Sequence, residues 1–211
     1  MTHPSTLLIF CIASLVLIIT PGPNNLYIIA RGIGQGRKEG IMSALGVHTG
    51  TLFHITAAAL GLSALLVSSA LAFNLVKYIG AAYLIYLGVR TLWEPQVAKQ
   101  NAMLERQSFL QIYYQGMLTN ILNPKVAVFF LAFLPQFVDV SRGAVTGQIL
   151  FLGIVLLLMG LAVDLVVALL AGTMGHWLRN STRFWRVQKW VTGSTFIGLG
   201  LSTAFVGTDR K

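Results

Sequence analysis

The sequence predicts an all-α membrane protein: six transmembrane helices arranged as two inverted three-helix repeats, with the first and fourth helices broken at proline. Three observations lead there. Of 211 residues, 55% are hydrophobic and only 10% charged, against about 25% charged in a soluble domain, and the mean hydropathy is +0.75. The apolar residues form six long charge-free runs, and helix breakers recur in the first and fourth of them. So little charge excludes a water-soluble enzyme or a nucleic-acid-binding domain, because a soluble fold needs a charged surface. Six spans of about 20 residues consume roughly 120 residues, which leaves loops and tails but no second, soluble domain.

The charge-free runs extend from Met1 to Ala30, Gly40 to Val76, Tyr78 to Val89, Gln107 to Pro124, Gly143 to Val163 and Trp190 to Thr208. Spans are expected near residues 5–29, 41–67, 72–93, 109–134, 146–172 and 189–207. The runs are continuously apolar rather than alternating, which favours helices over the strands of a closed barrel. The first lacks a basic n-region and a small-residue cleavage site, so it reads as a retained helix rather than a signal peptide. The single Cys11 offers neither a disulfide nor a thiol cluster for zinc.

In the first span two prolines flank a glycine, which should break the helix near Pro21. Freed backbone groups cost several kcal/mol each in lipid unless they face protein or a watered cavity, so the segment Thr20 to Asn25 should line a cavity. The helix restarting after Gly22 and Pro23 aims the positive end of its dipole there, a favourable place for a carboxylate. Asn24 and Asn25 add side-chain donors and acceptors. A purely structural kink is the competing reading.

The second span carries His48 and His54, six residues apart and so about 240° apart around a helix, which cannot form one metal site. Each is expected to hydrogen-bond to a neighbouring helix, and His48, with an intrinsic pKa near neutrality, is a second candidate for proton traffic. Gly46 and Gly50 form a GxxxG packing signal. The third span opens with KYIGAAYLIYLGV from Lys77, which aligns without a gap on KWVTGSTFIGLGL from Lys189 in the sixth, at an offset of 112. The alignment matches Lys77 with Lys189, Ile85 with Ile197, Leu87 with Leu199 and Gly88 with Gly200.

The fourth span repeats the interruption of the first with Asn120, Asn123, Pro124 and Lys125. Matching breaks and matching third helices make two repeats, and three helices per repeat force the second to enter the membrane from the opposite side, the inverted arrangement of many secondary transporters. Chance similarity among apolar segments is the alternative. In the fifth span, Asp164 lies on a strip with Gly160, Ala168 and Gly172 that lets a helix or a substrate approach closely. Lys125 and Asp164 are the mid-span charges, and an unpaired charge there costs roughly 3 kcal/mol, so they pair or face water. Asp164 suits an ammonium group or a carried proton; a structural Lys125–Asp164 bridge is the other reading. Trp93, Trp177, Trp185 and Trp190 read as an interfacial belt, and the basic run from Arg179 to Lys189 as a contact with anionic lipid.

Orientation follows from the basic residues. Arg31, Arg37, Lys38, Arg90, Lys99, Arg106, Arg179, Arg183, Arg186 and Lys189 follow the odd-numbered spans, against Lys77, Arg142, Arg210 and Lys211 on the other side. The bias puts the odd loops in the cytoplasm and both termini in the periplasm. Enzyme readings fail on inventory, since there is no HExxH, no pair of intramembrane aspartates and no convincing context for Gly193-Ser194 as a nucleophile. Clustered metal ligands are also missing, so no catalytic residue, metal or cofactor is expected.

The residues TPGPNNL at 20–26, KYIGAAYLIYLGVRTL at 77–92 and NILNPKVAVFFLAFLPQF at 120–137 resemble the lysine-exporter superfamily, specifically its homoserine/threonine-exporter branch. The resemblance covers nearly the whole chain. It implies a bacterial inner-membrane protein that exports small amino acids or their analogues, homoserine- or threonine-like or other neutral or basic ones, driven by proton or ion exchange. The family motif falls on Pro21, Gly22, Pro23, Asn24, Asn123, Pro124 and Lys125; Asn25, Asn120, Asp164 and His48 come from the residue reading alone. The expectation is therefore a first repeat over 1–93, a cytoplasmic linker over 94–108 and a second repeat over 109–211, with substrate between the two breaks and alternating access by rocking of the repeats. Expected partners are a small amino acid, protons or another coupling ion and the lipid bilayer, with a homodimer left open and no nucleic acid. The rival reading is a passive channel or a helical subunit of a larger membrane assembly.

Overall fold

The computed structural model describes residues 4–20, 22–62, 70–93, 106–180 and 182–205, and all regular structure among them is helical. Helix α1 (Pro4–Ile19) is followed across a break by α2 (Pro23–Gly34), bent 50° from it. Next come α3 (Arg37–Ala57), prolonged by a π-helical turn at Ala58–Leu62, and α4 (Ala70–Trp93). A capping box between Ser108 and Gln111 starts α5 (Phe109–Ile121). After a second break α6 (Pro124–Val128) runs on through a π turn at Phe129–Phe133 and a 3-10 turn to Phe137, bent 45° from α5. Last are α7 (Val145–Asn180) and α8 (Thr182–Phe205).

Among the described residues, α4 over Asn74–Trp93 and α7 over Val145–Thr173 are each long and apolar enough to cross a bilayer, and each bent pair, α1 with α2 and α5 with α6, passes the same test as one span. Large apolar side chains such as Leu60, Leu71 and Leu122 point outward, the pattern of a surface solvated by lipid. The apolar core gathers Phe10 of α1, Phe129, Phe130 and Phe133 of the π turn, and Ile149 and Leu152 of α7.

Small residues set the helix spacing. A Cβ on Gly46 would strike the Tyr113 carbonyl, one on Gly50 would lie 2.7 Å from the Met117 carbonyl, and one on Gly116 would lie 2.7 Å from the Ser43 carbonyl, so α3 and α5 touch backbone to backbone. The strip of α7 meets the first half in the same way: Gly160 abuts His48, Ala168 abuts Gly40, and Gly172 abuts Arg37. Between α4 and α8 the contacts are reciprocal. A Cβ on Gly88 would meet Ile197 at 2.6 Å and the Gly193 carbonyl at 2.7 Å; one on Gly200 would meet Ile85 and the Ala81 carbonyl, both at 2.7 Å.

Three expectations need correction. The basic segment after the fifth span is helical, not a loop: α7 continues to Asn180 and α8 starts at Thr182, because a hydrogen-bonded ladder does not stop where the apolar run does. Lys77, which falls in the expected third span yet counts with the outer-side loop charges, lies inside α4, 2% exposed, with its ammonium 5.3 Å from the Tyr78 ring centroid. Arg31, also assigned to a loop, is buried in the last turn of α2. Of the linker expected over 94–108, residues 94–105 lie outside the described residues, as does the chain end from 206.

Candidate functional site

Each break exposes backbone groups that the chain satisfies with a side chain from elsewhere. Proline 23 has no N–H to bond back into α1. Of the carbonyls near that end, Ile18 accepts from Asn25 Nδ2 at 3.2 Å and Thr20 accepts from the ammonium of Lys125. In the second break Pro124 cannot donate to Asn120, four residues back, and that carbonyl instead accepts from Asn123 N at 2.9 Å, with His54 Nε2 at 3.1 Å. Asn123 caps α6 by accepting from Lys125 N at 3.0 Å. At the head of α2, by contrast, Gly22 supplies no side-chain cap.

The two breaks meet. Asn123 Nδ2 donates to Asn24 Oδ1 at 2.9 Å, while Lys125 reaches across Gly22, where a Cβ would sit 3.3 Å from its Cδ. Lys125 is buried, its ammonium shared between the Thr20 carbonyl and the face of Phe196, 5.9 Å from the ring centroid. Across from it Asp164 is 5% exposed and bonds through Oδ2 to His48 Nε2 at 3.0 Å. The Lys125–Asp164 bridge is therefore corrected: no ion pair joins them, and histidine is the partner of the acid. The charge pattern did not identify this partner because His48 counts as neutral there.

Asn24, Asn25, His48, Asn120, Asn123, Lys125 and Asp164 all line one cavity, with Thr51 and Gly160. Pro23 and Pro124 are the first residues of the helices that start at it; Pro21 lies outside the described residues. Thr51, which sequence reasoning missed, accepts from Asn120 Nδ2 at 3.3 Å, and its only signal was a place one turn after His48. The apolar wall of Leu17, Ile18, Val47, Val126, Phe129 and Leu156 carries no sequence signal, since nothing distinguishes these residues from the rest of the spans.

Three buried polar atoms of this lining have no hydrogen-bond partner: Asp164 Oδ1, Asn120 Oδ1 and His48 Nδ1. An orphaned buried acceptor costs about 1–3 kcal/mol, so two acceptor oxygens left without donors on residues that share a cavity lining with a buried lysine mark a place suited to a polar guest. The cavity measures about 60 Å³, and a water needs about 10–15 Å³ on this scale. It takes a few waters as it stands, and a larger guest requires its walls to part.

The comparisons with known proteins agree with one another. Residues 15–206 match the family described as "LysE type translocator". The chain is 30% identical to "Uncharacterized membrane protein YrhP" of Bacillus subtilis (strain 168), over 94% of this chain and 98% of that protein. It is 31% identical to an "Uncharacterized membrane protein" of Vibrio cholerae, over 93% and 95%. A "Leucine efflux protein" of Salmonella typhimurium is 26% identical over 92% of each chain. No solved structure matches.

Proposed function

The chain belongs to the LysE type translocator family, and from that premise we propose that it is a secondary exporter of small amino acids, proton-coupled and working by alternating access. One observation carries the reading: one cavity at the two helix breaks is lined by Lys125, which carries an ammonium, and by Asp164 and Asn120, each with a buried side-chain oxygen that has no donor. That is the complement of a zwitterion. The substrate carboxylate sits at the uncapped head of α2 with Asn24, Asn25 and Lys125, and its ammonium group at Asp164 and Asn120. Its side chain lies along the apolar wall. The relative named for leucine efflux supports an amino acid as the cargo.

Coupling falls to the His48–Asp164 pair. Asp164 without a proton receives the substrate ammonium; protonated, it releases it, so proton and substrate exchange at one carboxylate. The reciprocal contacts of α4 and α8 support two repeats, since 88 and 200, 85 and 197, and 81 and 193 all differ by the offset found in the sequence. Rocking of one repeat against the other opens the cavity to either side.

The test is flux in proteoliposomes with a panel of neutral and basic amino acids under an imposed proton gradient. Uphill movement of at least one substrate that collapses with the gradient is expected. Simple equilibration would establish the channel reading instead, and no flux at all would favour a subunit of a larger assembly.

A further inference from the structure

Arg31 is 5% exposed in the last turn of α2, outside the lining of the cavity at the breaks. Its guanidinium has five N–H donors and no acceptor. Nη1 donates to Gln35 Oε1 at 2.7 Å and Nη2 to Gln115 Oε1 at 3.0 Å, the Tyr27 ring centroid lies 5.5 Å away, and the buried Nε has no hydrogen-bond partner. Among the described residues no carboxylate lies within ion-pair distance of it. A buried cation served only by neutral oxygens is a costly arrangement to keep without a use.

The geometry of the fork suggests the use. Nε–H and Nη2–H lie side by side on one edge of the guanidinium, the edge on which a carboxylate binds with both oxygens. Here one amide oxygen, from Gln115, serves Nη2 alone. Gln115 is itself exposed on α5, and the Tyr27 hydroxyl, 2.8 Å from the Ile112 carbonyl, stands 3.3 Å from the same Oε1. The amide is held at Nη2 by that bond and by the Tyr27 hydroxyl, and its exposed position gives it room to swing outward once those two bonds are given up. Arg37 and Lys38 follow in the chain against one acid, Glu39, so this end of α2 carries a net positive charge.

We propose that Arg31 is the carboxylate-recognising residue of an entrance site, on the side that the basic bias assigns to the cytoplasm, in which the Gln115 amide gives way and a carboxylate takes Nε and Nη2 together. The source of that carboxylate, a transported amino acid, rests on the export reading; the site itself does not.

The test uses the full chain in phosphatidylcholine nanodiscs, with the Lys125→Met background removing the ammonium of the central cavity. Thermal unfolding is followed with 4-methylpentanoate, a carboxylate without an ammonium group, and with 3-methylbutylamine, the reverse. The acid should raise the Tm of Lys125→Met and lose that effect in Lys125→Met/Arg31→Met, while the response to the amine stays the same in both. Where Arg31→Met fails to fold, Arg31→Lys decides, because it keeps the charge without the fork; binding of the acid about tenfold weaker is expected. Equal response to the acid with and without Arg31, or no response in the Lys125→Met background, overturns the proposal. So does loss of the effect when phosphatidylglycerol is added, which would make this a headgroup site. Flux without acid binding would refute Arg31 alone, and acid binding without flux would refute the export reading alone.

Discussion

Asp164 and His48 form the most exposed point of the reading to mutation, because each is the hydrogen-bond partner of the other in a buried site. Asp164→Asn keeps an oxygen within reach of His48 but cannot take up a proton as a carboxylate does. Uphill accumulation in proteoliposomes should fall at least tenfold, with downhill exchange surviving; a folded variant that accumulates substrate at the wild-type rate would remove Asp164 from coupling. The control is the double change with His48→Gln rather than one at Lys125, since residues in one network do not act additively. Asn24→Ala removes the acceptor of Asn123 Nδ2 and should raise the substrate KM severalfold while shifting the Tm by no more than a few degrees; a large Tm loss with unchanged KM would mark the break as a kink only. The polar lining was legible because Asn24, Asn120, Lys125 and Asp164 stand out in apolar runs. Which of them bond together was not, since that depends on how helices neighbour one another. Arg31 and Lys77 were misplaced for a related reason: hydropathy treats every charge as outside.

Among the helices, the α3–α5 contact is the tightest test of packing. Gly46→Val drives a branched side chain into the Tyr113 carbonyl and should cost about 3 kcal/mol or more, beyond the usual overpacking range of about 1–3 kcal/mol, because backbone rather than side chain must move. Gly198→Ala in α8, where nothing lies within 4 Å of the added Cβ, should leave stability within about 1 kcal/mol of wild type and on the favourable side. Chemical unfolding in mixed micelles would measure both, and equal effects would show that the helix spacing is not set at Gly46. Both proline breaks and the GxxxG seam could be read in advance because proline and glycine act locally. The π turns at 58–62 and 129–133 could not, as an extra residue in a helical turn leaves no compositional trace.

For the molecule as a whole, orientation can be tested by labelling. In a Cys11→Ser background, Ser5→Cys should react with an impermeant thiol reagent in intact cells and Lys38→Cys should not; the reverse pattern would invert every assignment of side. The reciprocal seam of α4 and α8 has a mechanical consequence as well. Under the proposed exchange of the two repeats, a contact that maps onto its own counterpart is made before and after, so this seam is the expected fulcrum. Leu92 packs directly on Gly193 there, and a cysteine pair at those two positions, once oxidised, should leave turnover within about twofold of the reduced protein. A pair joining Tyr27 of α2 to Gln115 of α5, helices that belong to opposite repeats in the proposed rocking cycle, should by the same reasoning bring the protein to a halt until a reductant is added.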